Sequence, residues 1–543
     1  MTGNATPAGD VQIVTARRII AMTEDEPRAF ACRGEWIVAT GEPAELRSQF
    51  PSAEMHDFAD ATVVPGFNDA HQHPTISAEQ SLQVDLSASV VADTAAVTAA
   101  LRQRAAETPT DEWIVGFGYD PFRSNNGREL TRDDLDAACP EHAVLVVHVT
   151  LHTGVLNSRG LEIAGLHTAA DAPSGGALDA DHAGRLTGVL HDQALYDVAF
   201  PAFTRRETVV PPPSAAGLER AFERFVRELN AAGLTSVGDA LVGPDGWALM
   251  NAVDAAGRLT IRVNALAAYD HFDHFRPLGQ GVADAEARLR LGGVKTFADG
   301  AVNGGTCLVE EPVIGGDGHG LARMSPAQLR EVVREVHDAG WRACVHANGD
   351  RAIRYVLDAV ADAQQHNPRP DVRHRLEHTS IVNADLVARM RELGTVAVPF
   401  AAYALAHGDK LRGYYGPERV EWMFAHRALL DAGIPVASSS DYPCGPFEPL
   451  FAMQSCVARR DRTGVPFGTS QRITPHEALG LYSTGAAYAS GEEGHKGRLA
   501  AGQLADFVVL GADPLAVDPE RMTEIPVLET WVGGARVWAA SAS

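Results

Sequence analysis

A chain of 543 residues is too long for one small domain and suits a large α/β barrel with additions. Hydrophobic residues make up 45% and charged residues 21%, ordinary globular values that exclude disordered and fibrous classes. Forty-six Lys and Arg against 70 Asp and Glu leave a net charge of −24, which suits neither a phosphate backbone nor an anionic membrane surface, so no nucleic-acid or membrane partner is expected.

From the N-terminus, Val11–Val14, Arg17–Ala21, Trp36–Thr40 and Ala61–Val64 read as short alternating strands between polar turns. No apolar stretch of about 7–15 residues follows a basic one there, and no apolar run reaches about 18 residues anywhere. Neither a signal peptide nor a membrane span is expected, and a cytoplasmic location is the default. Residues 498–543 have the same β-rich character as the N-terminus, in Asp506-Phe-Val-Val-Leu-Gly and Thr530-Trp-Val-Gly-Gly-Ala-Arg-Val-Trp. Each end alone is short of core, so 1–64 and 498–543 are expected to build one small β-sandwich domain together.

The middle alternates strands with helices. Candidate strands are Val63–Val64, Thr235–Gly238, Ile261–Ala267, Gly293–Phe297, Arg342–His346, Arg375–Glu377, Thr395–Val398 and Pro435–Ser439. Between several of them lie helical patterns, such as Leu218–Ala232, Ser325–Ala339 and Arg351–Gln365. Eight strands joined by crossovers predict a (β/α)8 TIM barrel over 65–79 and 210–497. The interval after His73 is far longer than one βα unit needs. Residues 80–209 therefore read as an insertion subdomain, a substrate lid with its own strand at Ala143–Val149.

Pro65-Gly-Phe-Asn-Asp-Ala-His-Gln-His73 follows an apolar strand. Residues i and i+2 of extended chain face the same way, so His71 and His73 point into one space and suit a divalent ion. Alone, the pair fits turn histidines as well. Later strand ends add His346, His378 and Asp441. Separately these have structural readings too, and Asp350 is expected to cap the helix that begins at Arg351. A barrel brings all its strand C-termini to one face, which makes the five a metal constellation. Lys295 ends the fourth strand. An ammonium has no lone pair for a metal, so Lys295 joins the cluster only if it becomes an anionic carbamate; otherwise it pairs with Asp299 or Glu377. The six cysteines, Cys32, Cys139, Cys307, Cys344, Cys444 and Cys456, are scattered with no CxxC pair and suggest neither a disulfide framework nor a zinc ribbon.

These motifs, in this order, resemble the amidohydrolase superfamily, specifically its metal-dependent branch of YtcJ-like proteins and N-substituted formamide deformylases. Nearly the whole chain takes part, including Thr235-Ser-Val-Gly-Asp and the late Gly-x-Leu-x-x-Gly-x-x-Ala-Asp-Phe stretch at 497–507. The resemblance implies one or two divalent ions, zinc foremost. His71, His73, carboxylated Lys295 and Asp441 would hold one; Lys295, His346 and His378 would hold the other. It also directs His152, Tyr119 and Arg351 toward the substrate, with Tyr119 standing where the branch usually carries Trp.

The activity so implied is hydrolysis of a C–N amide bond of a small molecule, an N-substituted formamide or similar amide. Metal-activated hydroxide would attack, Asp441 would act as general acid and base, and His152 would help to stabilise the oxyanion. Cyclic-amide or carbamate hydrolysis and deamination of an aminated ring use the same kind of site, and a non-catalytic ligand-binding barrel is the reading from another class. A homodimer is expected from the superfamily.

Overall fold

The computed structural model describes residues 11–125, 127–281 and 285–541. Seven parallel strands form the central sheet: β1 (Phe67–Gln72), β2 (Leu234–Asp239), β3 (Arg262–Ala268), β4 (Leu289–Phe297), β5 (Ala343–Ala347), β6 (Arg375–His378) and β7 (Val396–Pro399), each paired with the next in chain order. These strands are buried on both faces, as expected of a parallel sheet wrapped by helices. Helices Ala215–Ala231, Pro326–Asp338 and Asp350–His366 pack around it through their Leu, Val, Ile and Phe residues.

Two expected strands differ. Val63 and Val64 belong to Thr62–Pro65, a strand of the β-sandwich that runs antiparallel to Phe507–Leu510. The barrel begins one residue after that strand, beyond Gly66. A Cβ there would sit 2.1 Å from Thr235 Oγ1, so only glycine lets the chain pass from sandwich to barrel so close to β2. The expected strand Pro435–Ser439 forms no ladder. Instead its segment makes isolated parallel bridges, Ala397 with Val436 and Phe400 with Ser439, on the β7 side. On the β1 side, Ala70 N–H donates to Ser438 O at 3.0 Å and Asp441 N–H to His71 O at 2.9 Å. An irregular stave therefore closes the barrel; Pro435 lacks an N–H for a regular ladder.

Both chain ends share a five-stranded sheet of Arg18–Ile19, Thr62–Pro65, Phe507–Leu510, Val527–Val532 and Ala535–Ala539. It faces a four-stranded sheet that includes Ala29–Arg33 and Glu54–Asp57, two strands the sequence pattern did not reveal. Phe507 joins the two layers, stacking on Trp531 at 5.2 Å and meeting Phe30 edge-on at 5.3 Å. Between β1 and the helix Ala215–Ala231 the chain builds a separate six-stranded sheet, with Val144–His148 near its centre. Asp350 lies inside the first turn of helix Asp350–His366 rather than capping it, because Gly349 occupies the cap position.

Candidate metal centre and catalytic cavity

The C-terminal strand ends converge as a barrel requires. His71 lies near the end of β1 and His73 just beyond it, Lys295 near the end of β4, His346 on β5, His378 at the end of β6, and Asp441 at the end of the closing stave. All six side chains belong to residues no more than 7% exposed. Asp441 Oδ1 lies 3.3 Å from His71 Nε2 and 3.1 Å from His73 Nε2. The His378 ring stands 4.7 Å from that of His71 and 4.5 Å from that of His346. Potential ligand atoms of His71, His378 and Asp441 all fall within 4.8 Å of one another. His378 and Asp441 adopt φ values of 72° and 54°, left-handed backbone that turns these side chains inward at an energetic cost.

The electrostatics suit a cation. Burial pushes the His71, His346 and His378 imidazoles down, leaving them neutral with lone pairs to offer. Burial alone would raise Asp441, but the surrounding imidazoles, His378 foremost and then His71 and His73, outweigh it and keep the carboxylate ionised. Among the described residues, His71 Nε2 and His378 Nδ1 have no hydrogen-bond partner although both are buried. Such orphaned atoms beside a carboxylate are what a coordinated ion would satisfy, so the residues fit a divalent metal.

Neither acidic partner considered for Lys295 pairs with it. Asp299 is occupied by the N–H groups of Leu308, Asn348 and Gly349, at 2.9, 3.0 and 2.9 Å. Glu377 accepts from Arg375 and contacts His71 Nδ1. Lys295 Nζ instead lies over the Phe297 ring, 4.7 Å from its centre. Burial lowers its pKa to about 8, so a reactive free amine is accessible near neutral pH.

Beside this cluster lies a narrow cavity lined by His152, Asn303, His346, Phe400, Tyr403 and Asp441 among others. His152 reaches it from the inserted sheet, its Nδ1 2.7 Å from Asp192 Oδ1. Tyr119 and Arg351 do not reach it. Tyr119 is packed in the inserted sheet's own core, with its hydroxyl donating to Arg128 O at 3.3 Å. Arg351 has a nearer acceptor, Glu310 Oε2 at 3.2 Å, which holds it against the loop after β4. Aromatic lining comes instead from Phe400 and Tyr403, stacked at 3.7 Å. Glu377 and Arg375 also belong to this site, and Arg-x-Glu on a strand, which places both side chains on one face, is the signal that could have marked them.

A model of the Amidohydrolase family matches residues 54–538. The chain is 29% identical to an N-substituted formamide deformylase of Arthrobacter pascens over 97% of both chains. It is also 29% identical to the putative amidohydrolase YtcJ of Bacillus subtilis (strain 168), over 93% of this chain and 94% of that one. Its fold matches an uncharacterized metal-dependent hydrolase from Pyrococcus horikoshii OT3 with a TM-score of 0.74 at 21% identity, covering 94% of this chain and 99% of the other. A matched family pattern over nearly all of its length, on a barrel whose strand ends gather histidines and a carboxylate, makes this chain a member of the Amidohydrolase family and a metal-dependent hydrolase.

Proposed function

We propose that the protein hydrolyses the C–N bond of a small amide, an N-substituted formamide or a close analogue. The observation that carries this reading is the Asp441 carboxylate, ionised between His71 and His73 at 3.3 and 3.1 Å and lining the narrow cavity. His71, His73, Asp441 and Lys295 as its carbamate would hold one zinc ion, and Lys295, His346 and His378 a second. Zinc supplies Lewis acidity and lowers the pKa of water toward about 7.

Asp441 takes a proton from the attacking water and returns it to the departing nitrogen, a role for a carboxylate already kept ionised. His152 lines the same cavity, with Asp192 behind its Nδ1. A cysteine nucleophile does not compete: burial pushes the Cys444 thiol, the one lining the cavity, well up, so it stays protonated. The narrow cavity favours a compact acyl group such as formyl, and the named activity of the Arthrobacter relative agrees with that choice.

Zinc-loaded protein assayed against N-substituted formamides, the matching acetamides, cyclic amides and aminated rings tests this reading. Formate release with the formamides as the fastest class is the expected result. Ammonia release from rings with intact amides would overturn it.

A further inference from the structure

His152, Asp192 and Arg323 come from three segments and meet at the edge of the cavity. Asp192 ends the strand Leu186–Asp192, is 1% exposed, and lies 2.7 Å by its Oδ1 from His152 Nδ1. Its own N–H donates to His152 O at 2.8 Å, so backbone and side chain grip the same residue. From the barrel loop after β4, Arg323 brings its guanidinium to 3.5 Å from that same carboxylate oxygen, donates to Gln193 Oε1 at 3.0 Å, and lies over the Tyr196 ring at 4.6 Å. The Asp192 backbone sits at φ 47° and ψ −118°, a region that glycine tolerates and aspartate rarely enters. Strain of this kind persists where surrounding contacts impose it, and it gathers at functional sites.

A carboxylate only accepts hydrogen bonds, so Asp192 takes the Nδ1–H of His152. In the neutral ring, Nε2 then carries the free lone pair. The ring's position among the cavity-lining residues, 5.2 Å from the His346 ring, turns that edge toward the reacting space. We infer that Asp192 is a positioning residue that holds His152 in the tautomer with an unprotonated Nε2 facing the cavity, and that Arg323 fastens this arm to the barrel. In that state Nε2 presents an acceptor to the cavity, whereas the oxyanion role expected from the sequence needs a donor. Inserted sheet and barrel thus build one arm together. The inference rests on the proposed amide hydrolysis for its consequence in turnover, but the tautomer itself does not depend on the substrate.

The test combines nitrogen NMR of imidazole-labelled protein with kinetics. The His152 signal is assigned by its loss in His152→Gln. The native enzyme should show Nδ1 protonated and Nε2 free. Asp192→Ala and Asp192→Gly should lose that preference and cut kcat by about 10–100-fold, with KM and bound zinc little changed. Asp192→Asn removes the charge and can offer Nδ1 an amide N–H instead, so it should lose the preference and lower kcat as well. The glycine variant suits the unusual backbone, so it remains informative if the alanine variant fails to fold. A native tautomer and native kcat in Asp192→Gly would overturn the inference, as would loss of zinc in step with kcat. Failure of the amide assignment would appear separately, as no hydrolysis by an enzyme whose His152 tautomer is still the one described.

Discussion

Glu377 accepts the Nδ1–H of His71 while Arg375 donates to both of its oxygens, at 2.7 and 2.9 Å, and all three residues are 1% exposed or less. A guanidinium thus fixes a carboxylate, and the carboxylate fixes the tautomer that turns His71 Nε2 toward Asp441. Burial opposes an ionised Glu377, yet Arg375 and His71 hold it far below the usual carboxylate range. Arg375 also donates to Ala70 O at 3.0 Å, so the same side chain braces the strand that carries His71.

Replacing Glu377 by Gln keeps the shape but removes the charge that favours His71 Nδ1–H. Zinc affinity should fall by about 10–100-fold, as when other partners behind a ligand histidine are lost. Competition with a chromophoric chelator measures it. Unchanged affinity would mean that His71 is oriented by its strand alone.

Replacing Glu377 by Leu is a harsher change. It leaves the Arg375 guanidinium buried without its counter-charge, which costs about 3–5 kcal/mol. A urea midpoint close to that of the native protein would show that water or a main-chain rearrangement reaches Arg375.

The gathering of His71, His73, His346, His378 and Asp441 on one face was legible because strand-end histidines and carboxylates stand out by residue type, and a barrel gathers strand ends whatever the loops do. The same logic failed for Tyr119 and Arg351. Both were read by analogy of motif, while their contacts depend on distant segments: Arg128 for one and Glu310 for the other. Asp192 was invisible for a similar reason, since 40 residues separate it from His152 and only the folded inserted sheet brings the two together. Val63–Val64 was counted among the barrel strands because it is as apolar as any of them; its place in the sandwich depends on its pairing with Phe507–Leu510, and Gly66 fits the turn against Thr235.

Lys295→Ala should lose zinc and hydrolysis together, since the reading makes its carbamate a ligand to both ions. Millimolar acetate or propionate should restore part of each by placing a short carboxylate in the vacated space, and alkylamines should not. Zinc content by atomic emission, taken alongside turnover, separates this from a packing defect. A variant that retains both ions would remove Lys295 from the metal centre.

Asp441→Asn retains an oxygen beside His71 and His73 but cannot shuttle a proton. Turnover should fall by about 10²–10⁴-fold, with a much smaller change in KM. Near-native turnover would require another base, and His152 would then be the group to examine next.

Stability in acid depends in part on a pair of histidines away from the catalytic face. Ala343 N–H donates to His374 Nδ1 at 2.9 Å, so the ring proton of His374 is on Nε2, which donates to His337 Nδ1 at 2.9 Å. His337 Nε2–H in turn donates to Asn367 O at 2.7 Å. The chain of bonds requires both rings neutral, and both residues are at most 2% exposed. Burial, then the fields of His337 and Arg369, lower the His374 pKa to about 3, against about 6.5 in the unfolded chain. Between those values the unfolded protein binds the extra proton, so this contribution is complete above about pH 6.5 and is lost as pH falls toward 3. From pH 6.5 to 5 the loss amounts to about 1.5 kcal/mol for this histidine. His374→Gln removes that proton uptake, and its urea midpoint should decline less steeply over the same interval than that of the native protein. Parallel declines would show that His374 is protonated in the folded state with little cost, and that the buried bond chain rearranges to accommodate it.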